Sequence, residues 1–372
     1  MRLETTASPV MAFAAALMVL LVRPAMAQNA FPRDYTDTYA GGHVYEVVPG
    51  VELAMILTAV AYRDADIRFH PVRRDTEYYH RVLAHFSSYA DHPVFAALSL
   101  NPDDLRSYTD LRNNGYNWVF CGDQLCRQAF LGKWWQGEEF LDTFSRNIDL
   151  INEFARVTDF RAFFEAEKPY YARLAALYEE RIDLPHMIAW LYSNFPYSYD
   201  SYRILFSPLI LGNQSTTIKR AQAFTQVFAI VDPPSERQSD ADALLRFRWV
   251  FTELDHQYVE PAAERHAARI DSVFADRSYW TTDGESAHYG TPFRVFAEYM
   301  TWAVYLVYLE ETYEPEVAGE VKGRLVRWVE ERRGFPRFGV FYRTLSELRR
   351  ATSRPLYLLL PPLLDWAQGT RE

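Results

Sequence analysis

Apolar residues recur at three- and four-residue intervals from "VVPGVELAMILTAVAY" (Val47 to Tyr62) through "DTEYYHRVLAHFSSYADHPVFAALSL" (Asp75 to Leu100), the spacing of helices with one buried face. The same period runs from Trp135 to about Leu191. It is carried by Phe140, Phe144, Ile148, Ile151 and Phe154, then by Phe163, Phe164, Tyr170, Tyr171, Leu174 and Leu177, with breaks near Asp159 and Pro185. Next come "SYRILFSPLILGNQ" and "AQAFTQVFAIVD", short runs rich in Ile, Val, Phe and Thr and separated by Gly212 and Asn213, which predict two strands pairing across a connection. Helical spacing returns at Ala241. "PFRVFAEYMTWAVYLVYLEETY" and "EVAGEVKGRLVRWVEERRG" predict two closing helices, the second ending at Gly334, a residue suited to a left-handed cap. The expected fold is α+β, predominantly α-helical, with a small β-sheet in the middle of the chain.

Composition sharpens this picture. With 372 residues and 49% hydrophobic content the chain can bury a large core, and at about 150 residues per domain it forms one large or two intimate domains. Prolines and glycines are spread too evenly to mark a linker. A single domain over 28–372 is therefore expected, with a helical part (28–200) and a site-bearing part (201–372) as its internal division. The net charge of -10 is not gathered in any block, which argues against nucleic acid as a partner.

The N-terminus carries Arg2, the apolar run Val10 to Val22, and then Ala25 and Ala27 in small-x-small spacing, the pattern of a secretory signal peptide (1–27) cut after Ala27. A membrane anchor is the competing reading, but the run is shorter than the roughly 20 residues a bilayer requires. Export to the periplasm or outside the cell, with no stable anchor, follows. In that setting the two cysteines, Cys121 and Cys126 in "FCGDQLCRQ", are expected to form a disulfide closing a small loop.

Candidate chemistry centres on "FTELDHQYVEP", Phe251 to Pro261. On a helix, Phe247, Phe251, Leu254 and Tyr258 share one face, while Glu253, His256 and Gln257 lie on the other side with Thr252 flanking them. Glu253 and His256 occupy the Glu and second His of an H-E-x-x-H zinc helix, in which two imidazoles grip the metal and the Glu deprotonates its water. Thr252 stands in the first His position. Downstream, Glu298 is the single carboxylate between Val295 and Leu309, so it is expected to be buried and to need a cation, a hydrogen-bond donor or a metal.

"FTELDHQYVEP" resembles the segment His-Glu-Phe-x-His-x-Phe-Val-Asn-Pro of a family of secreted bacterial proteins of unknown function that look like gluzincin-type metallopeptidases. "VELAMILTAVAY", "SSYADHPVFAAL", "ILFSPLILGNQST", "FRVFAEYMTWAVYLVY" and "ERRGFPRFG" resemble further blocks of that family in the same order, over most of the chain after the leader. The resemblance implies a zincin-like helical scaffold with Glu253 as general base, His256 and Glu298 as zinc ligands, and Val259 with Pro261 in a Val-x-Pro turn. The chain departs from it at Thr252 and at Glu260, which replaces Asn. Glu253 could serve as ligand in place of the missing histidine.

Asp255 reads as a supporting or surface charge, Tyr258 and Tyr289 as packing residues that could also steady an oxyanion, and His92 and His288 as capping or packed residues that could reach a metal. The chain contains no G-x-S-x-G elbow, phosphate loop or dinucleotide fingerprint. Two functions head the expectations: a secreted zinc-dependent hydrolase acting on peptide bonds at an altered site, and a metallopeptidase-like scaffold without catalysis that binds a polypeptide or envelope partner. The export argument predicts that periplasmic protein begins at Gln28 with Cys121 and Cys126 bridged. Intact mass before and after alkylation checks both, and a retained leader or two alkylatable thiols would refute it.

Overall fold

A computed structural model describes residues 30–370, apart from 68–69, 136–140, 213, 222, 235–239 and 283–284. The expected signal peptide, 1–27, lies outside the described residues. The first half of the chain folds as α1 (Arg33–Tyr39), β1 (His43–Glu46), α2 (Pro49–Ala61), α3 (Glu77–Phe86), α4 (Pro93–Leu98), α5 (Leu105–Asn114), the hairpin β2 (Trp118–Cys121) and β3 (Gln124–Arg127), and α6 (Thr143–Arg146) to α7 (Ile148–Val157). Then come α8 (Phe160–Arg181), α9 (Leu184–Asn194), β4 (Ser201–Phe206), β5 (Ser215–Ala221) and β6 (Phe224–Val231). The remainder is helical: α10 (Asp240–Glu264), α11 (Ala267–Val273), α12 (Arg277–Trp280), α13 (Pro292–Thr312), α14 (Pro315–Glu331), α15 (Phe338–Thr352) and α16 (Leu360–Gly369). The fold is α+β and predominantly helical. Among the described residues no helix is long and apolar enough to cross a membrane.

The sheet has the order β1-β4-β6-β5, with β1, β4 and β6 parallel and β5 antiparallel at one edge. The two runs expected to be strands are thus real and neighbouring, but parallel. β5 supplies the return, and "STTIKRA", mostly polar with Ile218 its one large apolar residue, hid it from a search for apolar runs. Alternation along β4 and β6 sorts the molecule. Tyr202, Ile204, Phe206, Val227, Ala229 and Val231 face the core made with α9 and the helices after Ala241. Leu205, Phe224, Phe228 and Ile230 face the core made with the helices of the first half. The two cores meet within α8, where Phe160, Phe163, Phe164 and Tyr171 belong to the second and Leu174 and Tyr178 to the first, so residue 200 marks no boundary between them.

Sequence breaks and structural breaks coincide at Asp159, which takes φ 52° just before α8, and at Pro185 in the first turn of α9. The chain closes with α15 and α16, two helices beyond those expected, and Gly334 lies past the end of α14 with φ 80°. The Val-x-Pro segment is not a turn either: Pro261 lies inside α10. Its missing N–H leaves the Gln257 carbonyl without a helical donor, and the Tyr199 hydroxyl donates there instead.

Both cysteines are free thiols in the structure. The hairpin pairs Val119 with Cys126 and Cys121 with Gln124, which sets the thiols diagonally on one face, and the Cys121 thiol raises the pKa of Cys126.

α2 crosses the turn after α5 at a glycine pair. A Cβ built on Gly50 would sit 2.2 Å from the Gly115 carbonyl oxygen, and one on Gly115 would sit 2.5 Å from that of Gly50, distances only a shift of the backbone could relieve. Gly50→Ala is expected to cost about 3 kcal/mol or more, as overpacking against rigid backbone does. Gly319→Ala is the control, because its Cβ meets nothing within 4 Å and replacing a helical glycine gains about 0.5–1 kcal/mol. Urea midpoints of the two variants against the parent check the contrast.

Candidate functional site

The site forms where α10 packs across α13 and lies beside β5. Phe247, Phe251, Leu254 and Tyr258 are buried, as the helical projection requires, and they fix the rotation of α10. That rotation aims His256 at α13. Its Nε2 lies 3.7 Å from Glu298 Oε1, and its Nδ1 lies 2.9 Å from Glu260 Oε1 one turn further along α10. Glu298 is 8% exposed and its second oxygen accepts from Trp302 Nε1 at 3.2 Å and Arg333 Nη2 at 3.2 Å. The buried acid expected from sequence therefore has an imidazole, an indole and a guanidinium around it.

Electrostatics bind these groups together. Burial works against a charged His256, but Glu260, Glu298 and Glu253 outweigh it and push the imidazole up to about 10, so it carries a proton between two carboxylates. Burial raises Glu253 to about 7, with Glu298 and Glu260 adding to the rise and His256 and Arg112 opposing it. Glu253 is half-buried, and its carboxylate makes no hydrogen bond or ion pair among the described residues. Burial opposes ionisation of Glu260, yet the His256 hydrogen bond brings its pKa below the usual carboxylate value.

Three residues differ from what the sequence suggested. Asp255 is not a surface charge: it is fully buried, both carboxylate oxygens lack partners among the described residues, and burial pushes its pKa far up, so it is a neutral acid. Glu260, noted as a departure from the family pattern, is the group that orients His256. Arg333, unremarked in "EERRG", carries the charge that balances Glu298. Tyr289 belongs to the site through its hydroxyl, which accepts from Arg333 Nη2.

Tyr258 is buried and its hydroxyl meets that of Tyr202, away from any oxyanion role. His92 caps α4, accepting from Val94 N at 3.2 Å, and stands in the other core. The His288 side chain lies outside the described residues.

Zinc in protein sites takes at least three protein ligands. Here one imidazole nitrogen and one carboxylate oxygen face each other. Thr252, 3% exposed, offers a neutral hydroxyl, and Glu298 and His256 already hold counter-charges on their other atoms. Among the described residues no group of three or more His, Cys, Asp or Glu side chains is disposed to hold a metal ion. The donor set does not fit zinc. Compared with protein-family models, with curated proteins and with solved structures, the chain matches none.

The ion-pair geometry makes a quantitative expectation. Arg333→Met leaves Glu298 with less cationic charge in a site where the two side chains are 18% and 11% exposed, and is expected to cost about 3 kcal/mol. Adding Glu298→Gln should recover at least about 1 kcal/mol, since contacting charges are coupled. Chemical denaturation of the four proteins in the cycle measures the coupling, and strict additivity would refute it.

Proposed function

We propose that this protein binds an extended polypeptide along α10 and the β5 edge, on a metallopeptidase-like scaffold that does not use zinc for hydrolysis. The observation that carries this reading is the protonated His256 clamped between Glu260 and Glu298, with Thr252 where a further imidazole would be needed. A clamp of this kind is complete without metal, because each carboxylate and each imidazole nitrogen already has a partner.

Support for a polypeptide comes from the sheet. β5 is an edge strand, and no strand pairs with its outer side among the described residues. It is tied to the site helix by Gln257 Nε2 donating to Thr216 Oγ1 at 3.3 Å. A strand edge that no other strand pairs offers alternating backbone donors and acceptors, which an extended chain satisfies by adding as a strand.

Calorimetric titration with zinc is expected to show no stoichiometric binding to the parent protein, and to show binding to Thr252→His, in which the i, i+4 imidazole pair is complete. Fluorescein-labelled unfolded casein should bind the parent and remain intact. Stoichiometric zinc in the parent, together with casein cleavage lost in Glu253→Gln, would overturn the proposal in favour of a hydrolase.

A further inference from the structure

Arg248 is 9% exposed and lies among three indoles, its guanidinium carbon 3.7 Å from the ring centre of Trp249, 4.8 Å from that of Trp328 and 5.4 Å from that of Trp302. Its Nη1 donates to the Leu245 carbonyl, and its buried Nε has no partner among the described residues. No carboxylate pairs with it there. Asp232, the acid that acts on it, already accepts from Gly212 N at 2.7 Å and Gln214 Nε2 at 2.8 Å. Arg246 and Arg333 add positive charge, and burial pulls the guanidinium down to about 9.

A cation taken out of water is costly unless an anion accompanies it. The indole faces recover part of that cost, roughly 2 kcal/mol for a desolvated cation–π contact. They leave Nη2, which has no hydrogen-bond partner among the described residues, as the charged N–H donor that can meet a carboxylate. Trp249 and Trp328 are half-buried and form the outer rim. Arg248, Thr252 and His256 follow one another at four-residue intervals on one face of α10, so Arg248 stands about 12 Å along the axis from His256. An extended chain covers that distance in about four residues. Arg333 lies between, 5.6 Å from the ring centre of Trp302 and 5.6 Å from that of Trp328 while bonded to Glu298.

We infer that Arg248, walled by Trp249, Trp302 and Trp328, is a carboxylate-recognising subsite, and that the polypeptide bound by this protein is acidic about four residues from the point that meets His256 and Glu298. The inference rests on the polypeptide-binding reading above and specifies its ligand. It also gives an acidic protein a local reason to accept an acidic segment, since the long-range field of a chain with net charge -10 opposes it.

The test uses the full exported chain and three fluorescein-labelled decapeptides of one Ser/Ala/Thr sequence: one with a central Glu and an amidated end, one with Gln in its place, and one with Gln and a free C-terminal carboxylate. Fluorescence anisotropy should show the Glu peptide binding roughly tenfold more tightly than the amidated Gln peptide. That preference should vanish in Arg248→Met, which keeps the apolar stem between the indoles. If Arg248→Met does not fold, Arg248→Lys, which keeps the charge without the planar fork, should lower the preference several-fold. Tight binding of the free-carboxylate peptide alone also supports the subsite and assigns it to a chain terminus. Equal binding of all three to the parent overturns the subsite while leaving polypeptide binding in place, and binding of none overturns both.

Discussion

The interaction on which the site depends is the desolvation of carboxylates between α10 and α13. Burial raises the proton affinity of Glu253 and Asp255, the Glu298 charge adds to both rises, and the His256 charge opposes both. Keeping all these carboxylates ionised in a site largely withdrawn from water would be costly. The resolution is unequal: Asp255 remains protonated, Glu298 shares Arg333 and Trp302, and His256 takes its second counter-charge from Glu260. Each of these choices follows from the others. Removing Glu260 would loosen the imidazole, and removing Arg333 would throw the Glu298 charge onto His256.

The sheet gives that cluster its rigidity. With both faces buried, β4 and β6 send alternate side chains into two cores, and α8 runs from one core to the other. α10 lies on one face next to the β5 edge, so the rotation that buries Phe251 and Tyr258 also presents Gln257 to Thr216 and His256 to Glu298. Pro261 inside α10 is tolerated because Tyr199 supplies the missing donor to Gln257, which ties the site helix to the segment before β4. Polar geometry and apolar packing therefore share the same residues.

This arrangement satisfies the α10 charges with Thr252 standing where an H-E-x-x-H helix has its first histidine. In a metal centre, carboxylates and imidazoles are held apart by the cation they share. Here a proton on His256 and the Arg333 guanidinium supply positive charge to the same carboxylates. The proposed carboxylate subsite at Arg248 extends the same logic two turns along α10, where the positive charge is in excess rather than in deficit.

Local periodicity was sufficient to determine the helices α2, α10 and α13, the buried face of the site helix, and the breaks at Asp159 and Pro185, because burial repeats at the period of the helix wherever one face meets a core. Glu298 was legible as a buried acid for the same reason, being a lone charge inside an apolar period. Its partner was not. Arg333 lies 35 residues away, in a run of charges that looks solvated, and only the packing of α14 beside α13 brings it inward. Asp255 looked like surface because it neighbours His256 in sequence, yet α10 is covered there too. β5 escaped notice because a mostly polar edge strand carries no apolar run, and the parallel pairing of β4 with β6 depends on where the chain returns. The sequence by itself decided which apolar faces leave water, since that is a local property of pattern. Which charges then meet was left to the tertiary structure, because an ion pair is set by the approach of elements distant in the chain.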